Sequence, residues 1–198
     1  TNIDLEHLDY YRDIEQIKDT FLEFIDKIPF YGAAIVCLDD PHVADILPRI
    51  KKRIITYGLT PQADLYAEDI DYQDGRVHFS VLSSGSLLGR VNLAPPGLQN
   101  VYNGLATIAV ARELELDFPT ISEALASFAG VQRRMQLKGV AAGITVVDDY
   151  GHHPTEIRAT LAAMRQGWPG RRLVVLFQPH RYTRTQGLFT EFQTCFHQ

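Results

Sequence analysis

The chain has 198 residues, 45% of them hydrophobic, with a formal charge of -5 and a pI near 5.8, enough to bury the core of one large domain or about one and a half ordinary ones. No block of five or six like charges interrupts it, which excludes a sequence-independent nucleic-acid footprint, and its apolar runs are too short to span a membrane. Cys37 and Cys195 match no metal spacing and fit a reduced, cytosolic protein. The first residues do not resemble a signal peptide, there is no initiator Met, and Gln198 falls directly after an amphipathic stretch, so the sequence reads as an internal piece of a longer chain.

In chain order, Ile14, Ile17, Phe21, Phe24, Ile25 and Ile28 form one helical stripe, with Asp13 placed to cap it and Gln16 three residues on. After Pro29, residues Ala33 to Leu38 read as a buried strand, Val43 to Ile50 as a short helix and Arg53 to Tyr57 as another strand, an alternation that predicts parallel α/β packing. From Ala63 to Leu93 the period changes to two, as in Val77-His78-Phe79-Ser80-Val81. Breaks at Asp74-Gly75 and Ser83-Ser84-Gly85-Ser86 predict antiparallel hairpins. Helices follow at Val101 to Glu113 and Ile121 to Phe128. The segment Ala129-Gly130-Val131-Gln132 is the expected boundary between a first domain, residues 1–129, and a second, 130–198. The second opens with a strand at Gly143 to Val147, a helix from Pro154 to Gln166 and a strand at Arg172 to Phe177, the order of a β–α–β unit.

Parallel strands place their C-terminal ends at one sheet edge, where open α/β folds bind ligands. There the sequence runs Asp148-Asp149-Tyr150-Gly151-His152-His153-Pro154 after the first strand and Gln178-Pro179-His180-Arg181-Tyr182-Thr183-Arg184 after the second. A rim of imidazoles, guanidiniums, phenols and carboxylates beside a helix N-terminus suits phosphate or carboxylate, and Arg181 and Arg184 have the forked donors for it. Two solvated loops would be the bland reading of each taken alone. Adjacent histidines also admit a zinc reading, but sequence neighbours rarely point the same way and no third ligand has finger spacing. Asp4, Glu6, His7 and Asp9 either help to hold Mg²⁺ or simply begin the first helix with negative charge. Arg133-Arg134, at the expected boundary, either reach phosphates or are a solvated pair.

These segments resemble the Mur ligase family, and within it the member that adds alanine. The resemblance is carried by Asp148 to Glu156 and Phe177 to Thr185, with weaker matches at Thr1-Asn2-Ile3 through Asp9, Pro29-Phe30-Tyr31-Gly32, Pro96-Gly97 with Asn100 and Asn103, and Arg133-Arg134. It implies part of the central ATP-binding domain, a parallel α/β unit with a small antiparallel sheet, followed by the start of a Rossmann-like C-terminal domain. The implied activity is ATP-dependent ligation of L-alanine to the carboxylate of UDP-N-acetylmuramate through an acyl phosphate, in peptidoglycan precursor synthesis. Carried over by motif, His7 would help bind Mg²⁺, and Asn100, Asn103, Arg133, Arg134 and Asp149 would contact ATP. Tyr150, His152, His180, Arg181 and Arg184 would form the pocket for alanine and the reacting carboxyl groups, with His152, His180 and Arg181 catalytic.

Gln99 stands where the family usually has His, and Glu6 where it usually has Asp. No Gly-x-x-x-x-Gly-Lys-Ser/Thr loop occurs in these residues. The resemblance therefore places the ATP cradle and the UDP-sugar domain ahead of Thr1 and predicts that this piece alone is inactive. Two alternatives stand beside it. One is the related ligase that recycles murein peptide, whose first loop resembles Phe-Ala-His-His and which lacks the Gln-Pro-His-Arg-Tyr loop. The other is a noncatalytic α/β module that binds a phosphorylated metabolite.

Overall fold

Helix α1 (Ile14–Asp26) starts where its cap predicts, Asp13 accepting from the Gln16 N–H at 2.9 Å. Its buried face is narrower than the predicted stripe. Ile17 and Ile25 go under, but Phe21 and Phe24 stay 41% and 69% exposed. The inward position between them belongs to Lys18, whose stem is buried while its ammonium meets Glu15 and Asp45 at 2.7 and 2.8 Å. The structure, a computed structural model, describes residues 1–73 and 75–197. Asp74, part of the first predicted hairpin turn, lies outside the described residues.

Strand β1 (Ala34–Cys37), helix α2 (Pro41–Ile46) with a 3-10 turn at Leu47–Arg49, and strand β2 (Ile54–Gly58) form the predicted parallel crossover, in register from Ala34↔Ile54 to Cys37↔Tyr57. Strand β3 (Leu65–Gln73) continues parallel to β2 through Tyr57↔Leu65, then pairs antiparallel with β4 (Arg76–Ser83), which pairs with β5 (Ser86–Leu93). The parallel strands and the hairpins thus fuse into a single sheet of order β1-β2-β3-β4-β5. The period-two pattern of β4 puts Val77, Phe79 and Val81 on one face, all fully buried. Against them pack Val101, Leu105 and Ile108 of α3 (Leu98–Glu113) and Ile121 and Leu125 of α4 (Phe118–Ser127).

Past Gly130 the chain forms a second structural group. Strand β6 (Gln136–Ala141), which sequence reasoning missed, pairs antiparallel with β7 (Ile144–Asp148) across a two-residue turn. Both turn residues are left-handed, Ala142 at φ +48° and Gly143 at φ +75°, as a tight primed hairpin requires. Helix α5 (Pro154–Gly167) follows β7 as predicted, and short helices α6 (Tyr182–Gly187) and α7 (Phe189–Thr194) close the chain. Ile157 and Leu161 of α5 cluster with Cys195, Leu173, Phe177 and Phe192.

The predicted strand at Arg172 to Phe177 does not form, and the β–α–β pairing is corrected accordingly. This segment has no regular secondary structure. It lies across a cleft from β7, whose other edge already pairs with β6, and Leu176 is fully exposed. Among the described residues no helix is long and apolar enough to cross a membrane.

Candidate active site

The two predicted loops do meet. Val147 to His152 on one side and Gln178, Pro179 and His180 on the other line a cleft of about 620 Å³, whose floor is Ile157, Leu161, Met164, Leu173 and Phe177. An apolar floor under a few convergent polar groups is the ordinary make-up of a small-molecule site.

The paired histidines face opposite ways. Nδ1 of His152 lies 3.0 Å from the Tyr150 carbonyl oxygen, which can only accept, so the neutral ring carries its proton there and keeps a lone pair on Nε2. Its ring meets Tyr150 edge to face at 5.1 Å. His153 is buried and has the other tautomer: Nδ1 accepts from the Thr155 N–H at 3.3 Å, capping α5, while Nε2 donates to the Leu5 carbonyl at 3.1 Å. Of the two, only His152 lines the cleft.

The anion position predicted at the start of α5 is taken by the chain itself. Glu156 accepts from the His152 and His153 N–H groups at 3.0 and 3.2 Å and pairs with Arg134 at 3.1 Å. Burial alone would raise the Glu156 carboxyl. The bonds from the His152 N–H, the Arg134 guanidinium and the His153 N–H outweigh it and hold the group below its ordinary value. A carboxyl depressed in the folded state adds stability above its unfolded pKa and loses it as pH falls through the folded one. Thermal unfolding should therefore be steady near neutrality and fall below about pH 4, and Glu156→Gln should flatten that acid limb in melts recorded from about pH 7 to 3.

Arg181 and Arg184 are not part of the cleft lining. Both turn toward the N-terminal segment, which sequence reasoning had left as a helix start or a metal contact. Arg184 is buried, with Nε and Nη2 at 3.1 and 2.8 Å from Oε1 of Glu6 and Nη1 donating to the His180 carbonyl at 3.1 Å. Arg181 reaches both Asp9 oxygens at 3.4 Å from a left-handed backbone, φ +67°. Thr155 Oγ1 donates to Asp4 at 2.7 Å. The forked donors are thus present as predicted, but they hold carboxylates of the same chain. Spacing could not reveal this, because the partners are 172 and 178 residues apart.

On the opposite flank, Asp149 accepts from the Met135 and Gly151 N–H groups at 2.8 and 2.7 Å, and Met135 Sδ lies 3.7 Å from Nε2 of Gln99. These contacts tie the start of α3 to the segment after the expected boundary and to the first loop. Arg133 and Arg134 lie over the Tyr150 ring, 4.7 and 5.7 Å from its centre. Asn100 spends its amide N–H groups on the Pro95 and Pro96 carbonyls at 3.1 Å each, whereas Asn103 is exposed. His7 is also exposed, with φ +56°. Among the described residues no three His, Cys, Asp or Glu side chains converge on a metal position.

The profile described as the Mur ligase middle domain matches residues 1–111, and that of the Mur ligase glutamate ligase domain matches 133–198. The chain belongs to the Mur ligase family. It is 66% identical over its whole length to a protein of Desulfotalea psychrophila named UDP-N-acetylmuramate--L-alanine ligase, of which it spans 43%. Among solved structures, the UDP-N-acetylmuramate-alanine ligase of Thermotoga maritima aligns over 92% of this chain and 41% of its own, at TM-score 0.74 and 26% identity. A murein peptide ligase from Psychrobacter arcticus aligns over 86% of this chain and 36% of its own, at TM-score 0.63 and 31% identity. The chain thus spans less than half of these relatives, and its mixed α/β architecture is that of a Mur ligase.

Proposed function

We propose that the protein containing this chain is a cytoplasmic ligase that joins L-alanine to the carboxylate of UDP-N-acetylmuramate, coupled to ATP, in peptidoglycan precursor synthesis. The observation that carries this reading is the 66% identity to a ligase of that name over every residue of the chain, both cleft loops included. The 31% identity to a murein peptide ligase gives the recycling reaction much weaker support. A noncatalytic module has no observation in its favour. We place the domain boundary at residues 129 and 130, where α4 has ended and Gly130 turns the chain with φ +90°.

In this reading the cleft holds the amine and the acyl carbon together. His152, with its Nε2 lone pair, takes the proton from the attacking alanine amine. The edges of His180 and Tyr150 face the charge that builds on the acyl oxygens. Arg181 stands at the outer rim, bonded to Asp9. Arg184 supports the rim from behind.

ATP supplies the phosphoryl group that activates the carboxylate. The residues on the α3 flank fit a nucleotide: exposed Asn103 offers an amide to a base edge, and Arg133 sits beside the cleft mouth as a cation for phosphate. Asn100 fastens the start of α3 to the Pro95-Pro96 turn, Asp149 holds the segment after Arg133 through Met135, and Arg134 is held by Glu156. The fit to Mg²⁺ is poor within this chain, since exposed His7 has no converging partner among the described residues. No step is assigned to the ion. Lacking a phosphate loop, this chain alone should not turn over.

Turnover by the full-length protein, with L-alanine and the murein tripeptide as competing amines, tests the reading. Phosphate release with alanine alone is expected. Release with the tripeptide alone would assign the recycling reaction, and ligand binding without release would assign a noncatalytic module.

A further inference from the structure

The cleft accounts for one side of each loop, but the contacts on their other side have no role in the reaction so far. Segment Asp4–Asp9 crosses behind the loops and is fastened at four points. These are Asp4 to Thr155, the Leu5 carbonyl to His153, Glu6 to Arg184, and Asp9 to Arg181. Two of the fasteners involve buried groups, His153 and Arg184, each 7% exposed.

The Glu6 bond is the strongest of the four by geometry. One carboxylate oxygen takes two guanidinium N–H groups within 3.1 Å, and the third nitrogen of that guanidinium holds the His180 carbonyl. Glu6 therefore sets the guanidinium that sets the backbone of His180, a residue of the cleft lining. The other Glu6 oxygen lies 3.9 Å from Nε2 of His152, on the opposite loop. A single carboxylate thus holds the support of His180 and lies beside the His152 ring itself.

We propose that Glu6 is a positioning residue: through Arg184 it fixes His180 and the second loop relative to His152, so that the cleft reaches its working width only when the Asp4–Asp9 segment is docked. This rests on the cleft being the amine site of the proposed ligase. Burial accounts for the loss if the charge is removed. Without Glu6 the Arg184 guanidinium is a cation enclosed without its counter-charge, and it must swing out, taking the His180 carbonyl with it.

The test is a double-mutant cycle on the full-length protein with Glu6→Gln, Arg184→Gln and the pair, reading kcat and KM for L-alanine and, separately, thermal unfolding. Both single variants should lose about fivefold to tenfold in kcat/KM. The pair should be no worse than either, and Glu6→Asp should recover part of the loss, because residues that act as one unit are not additive. If Glu6→Gln stays within twofold of wild type while Arg184→Gln falls tenfold, Arg184 acts alone; if the losses multiply, the two residues act independently; either result overturns the proposal. Equal kcat/KM in all variants with lowered melting temperatures would likewise overturn it, leaving the pair a purely structural fastener. Absence of alanine turnover in the wild type would refute the ligase reading instead, and the unfolding cycle would still report whether the two residues are coupled.

Discussion

Gly97→Ala should destabilise the protein by about 3 kcal/mol and reduce the proposed turnover of the full-length protein. Gly97 precedes α3 with φ +118°, a backbone region that a side chain disfavours, costing on the order of 1–3 kcal/mol. A Cβ built there would sit 2.6 Å from Ala163 Cβ on α5 and 2.6 Å from Oε1 of Gln99. Ala163 is 1% exposed and cannot yield without moving α5, and overpacking of that kind costs roughly 1–3 kcal/mol more. The helix that would move starts at the His153 cap, and Gln99 contacts Met135, so the strain reaches both flanks of the cleft. Gly85→Ala is the internal control. Gly85 has φ +80° but nothing within 4 Å of its added Cβ, so it isolates the backbone cost, about 1 kcal/mol. Urea unfolding of the two variants reads the difference, and equal midpoints would show that α5 does not bear on Gly97.

Most of the first structural group was legible in the sequence because its elements bury one face in a regular period. The alternation of Val77, Phe79 and Val81 and the spacing of Val101, Leu105 and Ile108 each state their own partner surface. Helix α1 shows the limit of that reasoning, since period alone cannot tell that Lys18 rather than Phe24 turns inward; an ion pair with Asp45 from another helix decides it. Strand β6 was missed because its hairpin turns on Ala142 and Gly143: Ala142 gives no turn signal although it adopts φ +48°, and Gly143 reads in sequence as the start of the following strand. The Arg172 to Phe177 segment is apolar and strand-like by composition. A strand, however, is defined by its neighbour, and here a cleft lies on the side where β7 would have to pair.

The candidate site was legible as a place more than as a set of roles. Motif and chemistry together pointed at both loops, and they meet at one cleft. What separates His152 from His153, and the cleft lining from Arg181 and Arg184, is which groups are bonded into Asp4–Asp9: His153, Arg181 and Arg184 are, whereas His152 lines the cleft with only its Nε2 near Glu6, at 3.9 Å. That depends on contacts across more than a hundred residues. Glu156 could have been found locally: a Glu three residues past a helix cap is a known reciprocal motif, here built on an unusual histidine cap.

In the proposed function one cleft, with His152 and His180 on its opposing loops, carries the ligation of alanine. Both rings line it while neither belongs to a hydrophobic core cluster, so truncation should spare the fold and remove chemistry. The loss of a positioned general base, for His152, or of a preorganised polar group facing developing charge, for His180, is worth on the order of a hundredfold in kcat, about 2.7 kcal/mol. The most direct measurement is single-turnover formation of the alanine amide by full-length wild type, His152→Ala and His180→Ala, with melting temperatures recorded alongside. Rates lowered about a hundredfold in both variants, at unchanged melting temperature, are predicted. Rates within threefold of wild type in both would place the reaction elsewhere in the protein.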